Sequence, residues 1–261
     1  MKRTLIVGNW KMHLNVAQSS LLVARLHKHI DGHRDIEVVL APSMVALQPI
    51  STQIDRRRFR LAAQDAYHKD EGAYTGEVSF HMLRDLVHYV IVGHSERRIF
   101  FNEGLDVVRD KVSACVRNGM TPILCVGETA QERAGGETKQ VLHDQVVSAL
   151  SNLTGVEVAN MVIAYEPVWA ISTFGGQIAK PSDVVGEMAF IRHQITELYG
   201  SHVSKHTRII YGGSVDDHSA RAYLEIDDCD GVLPGNASLN YHKFTGIVDS
   251  AYKMNRDKKD D

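Results

Sequence analysis

Eight short β-like runs recur along this chain, separated by longer helix-like segments, and that alternation constrains the fold more than any other feature. The runs are Thr4–Trp10, Ile36–Ala41, Phe59–Gln64, Tyr89–His94, Thr121–Val126, Met161–Tyr165, Thr207–Tyr211 and Gly231–Leu233. Between them apolar residues follow the helical period: in Ala17–Ile30, Leu21, Leu22, Leu26 and Ile30 fall on one face, and Phe190–Tyr199 is patterned likewise. Strict alternation of strand and helix implies an α/β fold with a parallel sheet and right-handed crossovers. Eight such units fit a closed (β/α)8 barrel, eight parallel strands ringed by helices, and 261 residues is an ordinary length for one such domain spanning 1–261. The competing architecture is a doubly wound open sheet; the lack of a G-x-G-x-x-G run weakens its dinucleotide-binding form. The tail Asn255–Asp261 is wholly polar and is expected to fray.

The formal net charge of −3 leaves no strong basic field to hold nucleic acid, so any phosphate must be bound by local groups. Three widely spaced cysteines, Cys115, Cys125 and Cys229, with no C-x-x-C, point to a reducing compartment and away from a zinc site. The N-terminus has too short an apolar run for a secretory signal, and no stretch approaches the ~20 residues of a membrane span. A cytoplasmic protein without membrane contact is expected.

In a barrel of this kind the C-terminal strand ends build the active site. Strand 1 runs into Gly8-Asn9-Trp10-Lys11 and strand 4 into Gly93-His94-Ser95-Glu96-Arg97-Arg98. Strand 6 ends at Glu166, with Pro167 stiffening the backbone and a flexible segment, Ser172–Gln177, beyond it. Strand 7 ends in Tyr211-Gly212-Gly213-Ser214, and strand 8 in Leu233-Pro234-Gly235-Asn236. Singly, each has an ordinary reading: a solvated lysine, a core histidine, a charged helix start, tight glycine turns. A carboxylate on a rigid strand end beneath a closable loop, converging with an imidazole and an ammonium, is instead the equipment of a proton-abstracting enzyme.

The segments Gly8–Met12, Gly93–Arg98, Ala164–Ala170 and Tyr211–Val215 resemble the triosephosphate isomerase family in order and spacing, as do Cys125–Thr129 and Gly72–Glu77. The resemblance runs from strand 1 to the last helix and implies the TIM barrel. It implies Glu166 as the base, His94 polarising the carbonyl, and Lys11 with Asn9 stabilising the oxyanion. Glu96 would orient Lys11. Triosephosphate isomerase is itself the standard example of a Glu base paired with a neutral His at a helix N-terminus, so that pairing is part of what the resemblance implies. Ser95 stands in an N-cap-like place. The substrate would be a small phosphorylated sugar, its phosphate resting on backbone N–H groups of Ser214, Gly235 and Asn236, with Ser172 added from the closing loop. No metal and no organic cofactor is implied. The polar segment Asp65–Val78 would insert into a second copy, making a homodimer in which Thr75 approaches the partner's Asn9 and the partner's Lys11.

The chain departs from the family's pattern at three places. The loop Ala170–Ala179 is two residues longer than the family's usual Ala-Ile-Gly-Thr-Gly with its following Lys-containing hinge, and Ser172 adds a Cβ. If that position is left-handed, strain of about 1–3 kcal/mol follows. Pro234 and Asn236 replace the usual Val and Gly; Asp65 replaces an Asn. The loop is expected to close with altered geometry. Isomerisation of another small ketose phosphate, such as a tetrulose phosphate, and a non-catalytic phosphate-binding barrel are the alternatives left open.

Overall fold

The computed structural model describes residues 2–175 and 177–260, with Lys259 and Asp260 as backbone only. Its strands are β1 (Thr4–Asn9), β2 (Ile36–Ala41), β3 (Phe59–Ala63), β4 (Tyr89–Val92), β5 (Thr121–Val126), β6 (Val162–Tyr165), β7 (Arg208–Tyr211) and β8 (Gly231–Val232). Each pairs in parallel with its sequence neighbours, and β8 returns to β1 through Leu5↔Gly231 and Ile6↔Val232. That closure excludes the open doubly wound sheet. Gly231 is required at the seam: a Cβ there would lie 1.9 Å from the Leu5 carbonyl oxygen.

Alternation along each strand builds two cores. Leu5, Val7, Val39, Ile91, Ile123, Val162, Ala164 and Ile210 pack with one another in the barrel interior. The intervening residues, among them Ile6, Leu40, Val90, Leu124, Ile163 and Ile209, join the cluster shared with the surrounding helices. At the N-terminal end of the interior, Arg208 donates to Glu37 (2.9 Å) and to the Tyr89 hydroxyl (2.7 Å), a polar plug opposite the C-terminal strand ends.

The first helix, Val16–His29, is started by an Asn15–Gln18 capping box. It buries Leu22, Val23 and Leu26, whereas Leu21 is exposed, a correction to the expected face. Three consecutive apolar residues cannot share one helical stripe. The helix ending at Tyr199 begins at Val185, earlier than its apolar pattern. Of the tail expected to fray, Asp261 lies outside the described residues and 255–260 continues the last helix, Tyr241–Asp260. Phe244, Ile247, Val248, Ala251 and Met254 seat it on the barrel, and the Asn255 side chain donates to Thr4 Oγ1 at 3.1 Å. Burial at helical spacing carries the polar end along.

Candidate active site

Glu166 is the first residue past β6, and its backbone N–H donates to the Val126 carbonyl at 2.7 Å, so the strand ladder itself aims its side chain. The side chain is 1% exposed. Its Oε2 accepts from the Ser95 N–H at 3.3 Å, and its Oε1 lies 3.3 Å from His94 Nε2. The second contact is close but not aligned as a hydrogen bond, so Oε1 is a buried oxygen without a hydrogen-bond partner in the chain. Such an oxygen is costly unless it has work to do. Glycines let this residue fit: a Cβ at Gly127 would lie 1.8 Å from the Glu166 carbonyl oxygen, and one at Gly212 would lie 2.7 Å from its Cγ.

His94 follows Gly93, whose φ of 69° turns the chain out of β4. His94, rather than Ser95, is the N-cap of the helix Ser95–Phe100, correcting the expected cap. Its Nδ1 accepts from the Glu96 N–H at 3.2 Å. A ring nitrogen that accepts carries no proton, so the neutral ring holds its proton on Nε2, the atom facing Glu166. Ser95, freed from capping, supplies its backbone N–H to Glu166 instead.

Lys11 adopts a left-handed backbone, φ 51°. A non-glycine residue there stores about 1–3 kcal/mol and needs to be held. Its N–H donates to Asn9 Oδ1 (3.1 Å) and its carbonyl accepts from Gln64 (2.8 Å), so side chains beyond β1 and β3 clamp it. The ammonium donates to Glu96 Oε1 at 2.6 Å. Burial alone would raise the Glu96 pKa, but the Lys11 hydrogen bond and charge, with a hydrogen bond from Thr173, bring it below the ordinary value. Glu96 is therefore an anion that holds the Lys11 side chain in place. Asn9 is buried, and its own N–H donates to the Pro234 carbonyl across the β1–β8 seam. A Cβ on Gly235 would meet Lys11 Cε at 3.3 Å, which shows how closely the β8 turn approaches the lysine.

The loop after β6 is anchored at both ends. Glu128, fully buried, accepts from the Trp169 indole (2.8 Å), the Tyr165 hydroxyl (3.1 Å) and Arg133 (3.3 Å), while the Tyr223 hydroxyl donates to the Ala179 carbonyl. Between the anchors Ser214 Oγ donates to the Ala170 carbonyl at 2.8 Å, and Asn236 Nδ2 to Ser172 Oγ at 3.4 Å. Ser172 opens a short 3-10 turn and is not left-handed; Gly175, at φ 141°, takes the position an L-residue would resist. The strain anticipated at Ser172 is therefore absent, because the longer loop moves the strained conformation onto a glycine. Asn236 likewise opens a 3-10 turn without positive φ.

Lys11, His94, Glu96 and Glu166 thus form one contact chain, with Asn9 and Gly235 beside Lys11 and with Ser172 and Asn236 touching each other. Thr75 stands apart, exposed on the segment that Tyr67 and Tyr74 brace with rings 4.6 Å apart. Asp65, at the root of that segment, accepts from Lys111 (2.7 Å) and Arg97 (2.9 Å), and Lys111 also donates to Glu103 (2.6 Å). Lys243 went unnoticed in the sequence: it shares with Ser214 and Asn236 a cavity of about 340 Å3, and a lysine on a helix carries no signal beyond solvation. Larger cavities, about 450 Å3 beside Arg3 and Arg208 and about 670 Å3 beside Lys2 and Arg192, open away from Glu166, so size does not identify the site. Among the described residues no group of three His, Cys, Asp or Glu side chains is placed to hold a metal ion.

A profile of the triosephosphate isomerase family matches residues 4–251. The chain belongs to the triosephosphate isomerase family. A triosephosphate isomerase of Carboxydothermus hydrogenoformans is 40% identical over 249 residues, covering 95% of this chain and 98% of the relative. One of Chloroherpeton thalassium is 40% identical over 253 residues, covering 96% of this chain and all of the relative, and one of Trichlorobacter lovleyi is 39% identical over 249 residues, covering 95% and 98%. In this member of the triosephosphate isomerase family Asn9, Lys11, His94 and Glu166 sit where parallel strands end.

Proposed function

We propose that this chain interconverts dihydroxyacetone phosphate and glyceraldehyde 3-phosphate through an enediol or enediolate. The observation that carries the proposal is the buried Glu166 carboxylate, with one oxygen lacking a hydrogen-bond partner, beside a His94 Nε2 that bears the ring proton. Glu166 takes a proton from the carbon next to the substrate carbonyl. The electron pair moves onto the carbonyl oxygen, where His94 Nε2–H and the Lys11 ammonium stabilise the charge. With Asn9 Oδ1 engaged by the Lys11 N–H, the Asn9 amide NH2 is the group that assists there. His94 relays a proton between the two oxygens, and Glu166 returns its proton to the neighbouring carbon. The N–H groups of Ser172, Ser214, Gly235 and Asn236 bind the phosphate, and the loop over them excludes water.

The decisive experiment is triose phosphate turnover by the wild-type protein and by Glu166→Gln. Loss of the base should lower the rate about 10²–10⁴-fold. Near-normal turnover by the variant would overturn the assignment of Glu166.

The working form is a homodimer joined through the 65–78 loop, with Thr75 beside the partner's Asn9 and the partner's Lys11. Exposed Met12 (94%), next to Lys11, supports this reading, as an apolar side chain of the kind a second copy would cover. Fully active monomers on dilution would refute it. A cytoplasmic setting is supported by three free, buried thiols, Cys115, Cys125 and Cys229. Among the described residues no helix is long and apolar enough to cross a membrane.

A further inference from the structure

The loop over the site makes two contacts that the chemistry above does not use. Thr173 Oγ1 donates to Glu96 Oε1 at 2.8 Å, the same oxygen that accepts from Lys11 Nζ at 2.6 Å. The next residue, Phe174, stacks on Phe100 with ring centroids 5.4 Å apart and planes at 30°. Phe100 ends the helix whose second residue is Glu96, and it is otherwise a half-exposed aromatic. Phe174 lies in the stretch where this loop is longer than the family's usual one.

We propose that Thr173 and Phe174 are positioning residues that set Glu96, and through it Lys11, when the loop rests on the site. This rests on the reading of Lys11 as the oxyanion-stabilising cation. A carboxylate held at one oxygen only can turn about its last torsion. Glu96 is held at one oxygen by Lys11 and Thr173 together, while its other oxygen lies 3.7 Å from His94 Nδ1. Without the threonine hydroxyl the carboxylate rotates, and the ammonium bound to it follows. The Phe174–Phe100 contact fixes how deeply Thr173 reaches, so ring and hydroxyl act as one device. Because Lys11 matters most where negative charge develops, the effect falls on the chemical step.

The test uses the full-length protein and steady-state triose phosphate turnover. Thr173→Val removes the hydroxyl with little change of shape and should lower kcat about tenfold, the lower value of a charge-assisted hydrogen bond, with KM within about twofold. Thr173→Ser keeps the donor and should stay within about twofold of wild type. On a Glu96→Ala background the Thr173→Val step should change kcat less than about twofold, since the shared partner is gone. Phe100→Leu approaches the same contact from the helix and should lower kcat in the direction of Thr173→Val. Wild-type kcat in Thr173→Val, equal losses in the valine and serine variants, or an undiminished valine effect without Glu96 would each overturn the inference. A wild-type protein without triose phosphate turnover would instead overturn the functional reading, and this inference with it.

Discussion

Gly212→Ala should disable catalysis while leaving the fold intact. Gly212 follows β7, and its φ is not in the left-handed region, so alanine is acceptable to the backbone. The difficulty is spatial: the new Cβ would lie 2.7 Å from Glu166 Cγ, 3.3 Å from Oε1 and 3.5 Å from Cδ. Ordinary contact begins at 3.4 Å, so the Glu166 side chain must retreat by about 0.7 Å, and by about 1 Å to reach a comfortable carbon–carbon separation. Its backbone is tied to Val126, so the movement falls on the carboxylate, whose 3.3 Å contacts to His94 and Ser95 are then lost or compressed. A misplacement of about 1 Å in a reacting group can cost about 10²-fold in rate. The expectation is a kcat reduced about a hundredfold, a KM changed only slightly because the phosphate donors lie on other residues, and an unfolding midpoint near that of wild type. Steady-state kinetics and urea unfolding on the same preparation separate these effects. Wild-type kcat in a folded Gly212→Ala protein would show that the base is not held at the distance argued here.

Two further predictions concern the groups that brace the site. Burial raises the Asp65 carboxyl to about 6 against the attraction of Lys111 and Arg97, with the Glu103 charge adding to the rise. A carboxyl raised on folding favours the native state below about pH 4 and loses that contribution as pH climbs through about 6; Asp65→Asn lacks the titration, so its stability relative to wild type should rise by at most about 3 kcal/mol over that window. Parallel pH profiles of unfolding for the two proteins would count against it. Glu128→Ala leaves the buried Tyr165 hydroxyl and the Trp169 indole without their acceptor and should destabilise the protein by about 1–3 kcal/mol, read from the urea midpoint; an unchanged midpoint would mean those bonds are readily replaced by solvent.

The barrel was legible because closure requires eight buried strands, and burial on both faces writes itself as short apolar runs. The same signal overshot the strand ends. Trp10, Leu233 and Met161 are buried and lie just outside the strand bounds, each keeping one backbone hydrogen bond to a neighbouring strand, and an apolar letter reports burial rather than where a strand ends. Leu21 failed for the converse reason, since a leucine that precedes Leu22 and Val23 need not face inward. The contact chain from Lys11 to Glu166 followed from strand-end position together with the family's motifs. The loop contacts did not. Glu128 with Trp169, and Phe100 with Phe174, join residues that are ordinary as letters and become partners only once the barrel brings their strand ends to one rim. The expected strain at Ser172 failed because two inserted residues shift which position bends, and letters alone do not show where the bend goes.

Glu96 ties the altered loop to Lys11. It lies on the helix that His94 caps, it holds Lys11, and it accepts from Thr173, so the cation and the loop share one carboxylate. On the other side Ser172 meets Asn236 on the β8 turn, whose Gly235 packs against Lys11. The loop therefore touches Glu96 on one side and the β8 turn on the other, and Lys11 is the side chain that both approach. Lengthening the middle of such a loop leaves the anchors at Glu128 and Tyr223 in place, and those anchors set where the loop begins and ends. The inserted residues are free to change what the loop touches in between. In this chain they put Phe174 on Phe100, so the longer loop gains a contact with the helix that carries the lysine's counter-ion.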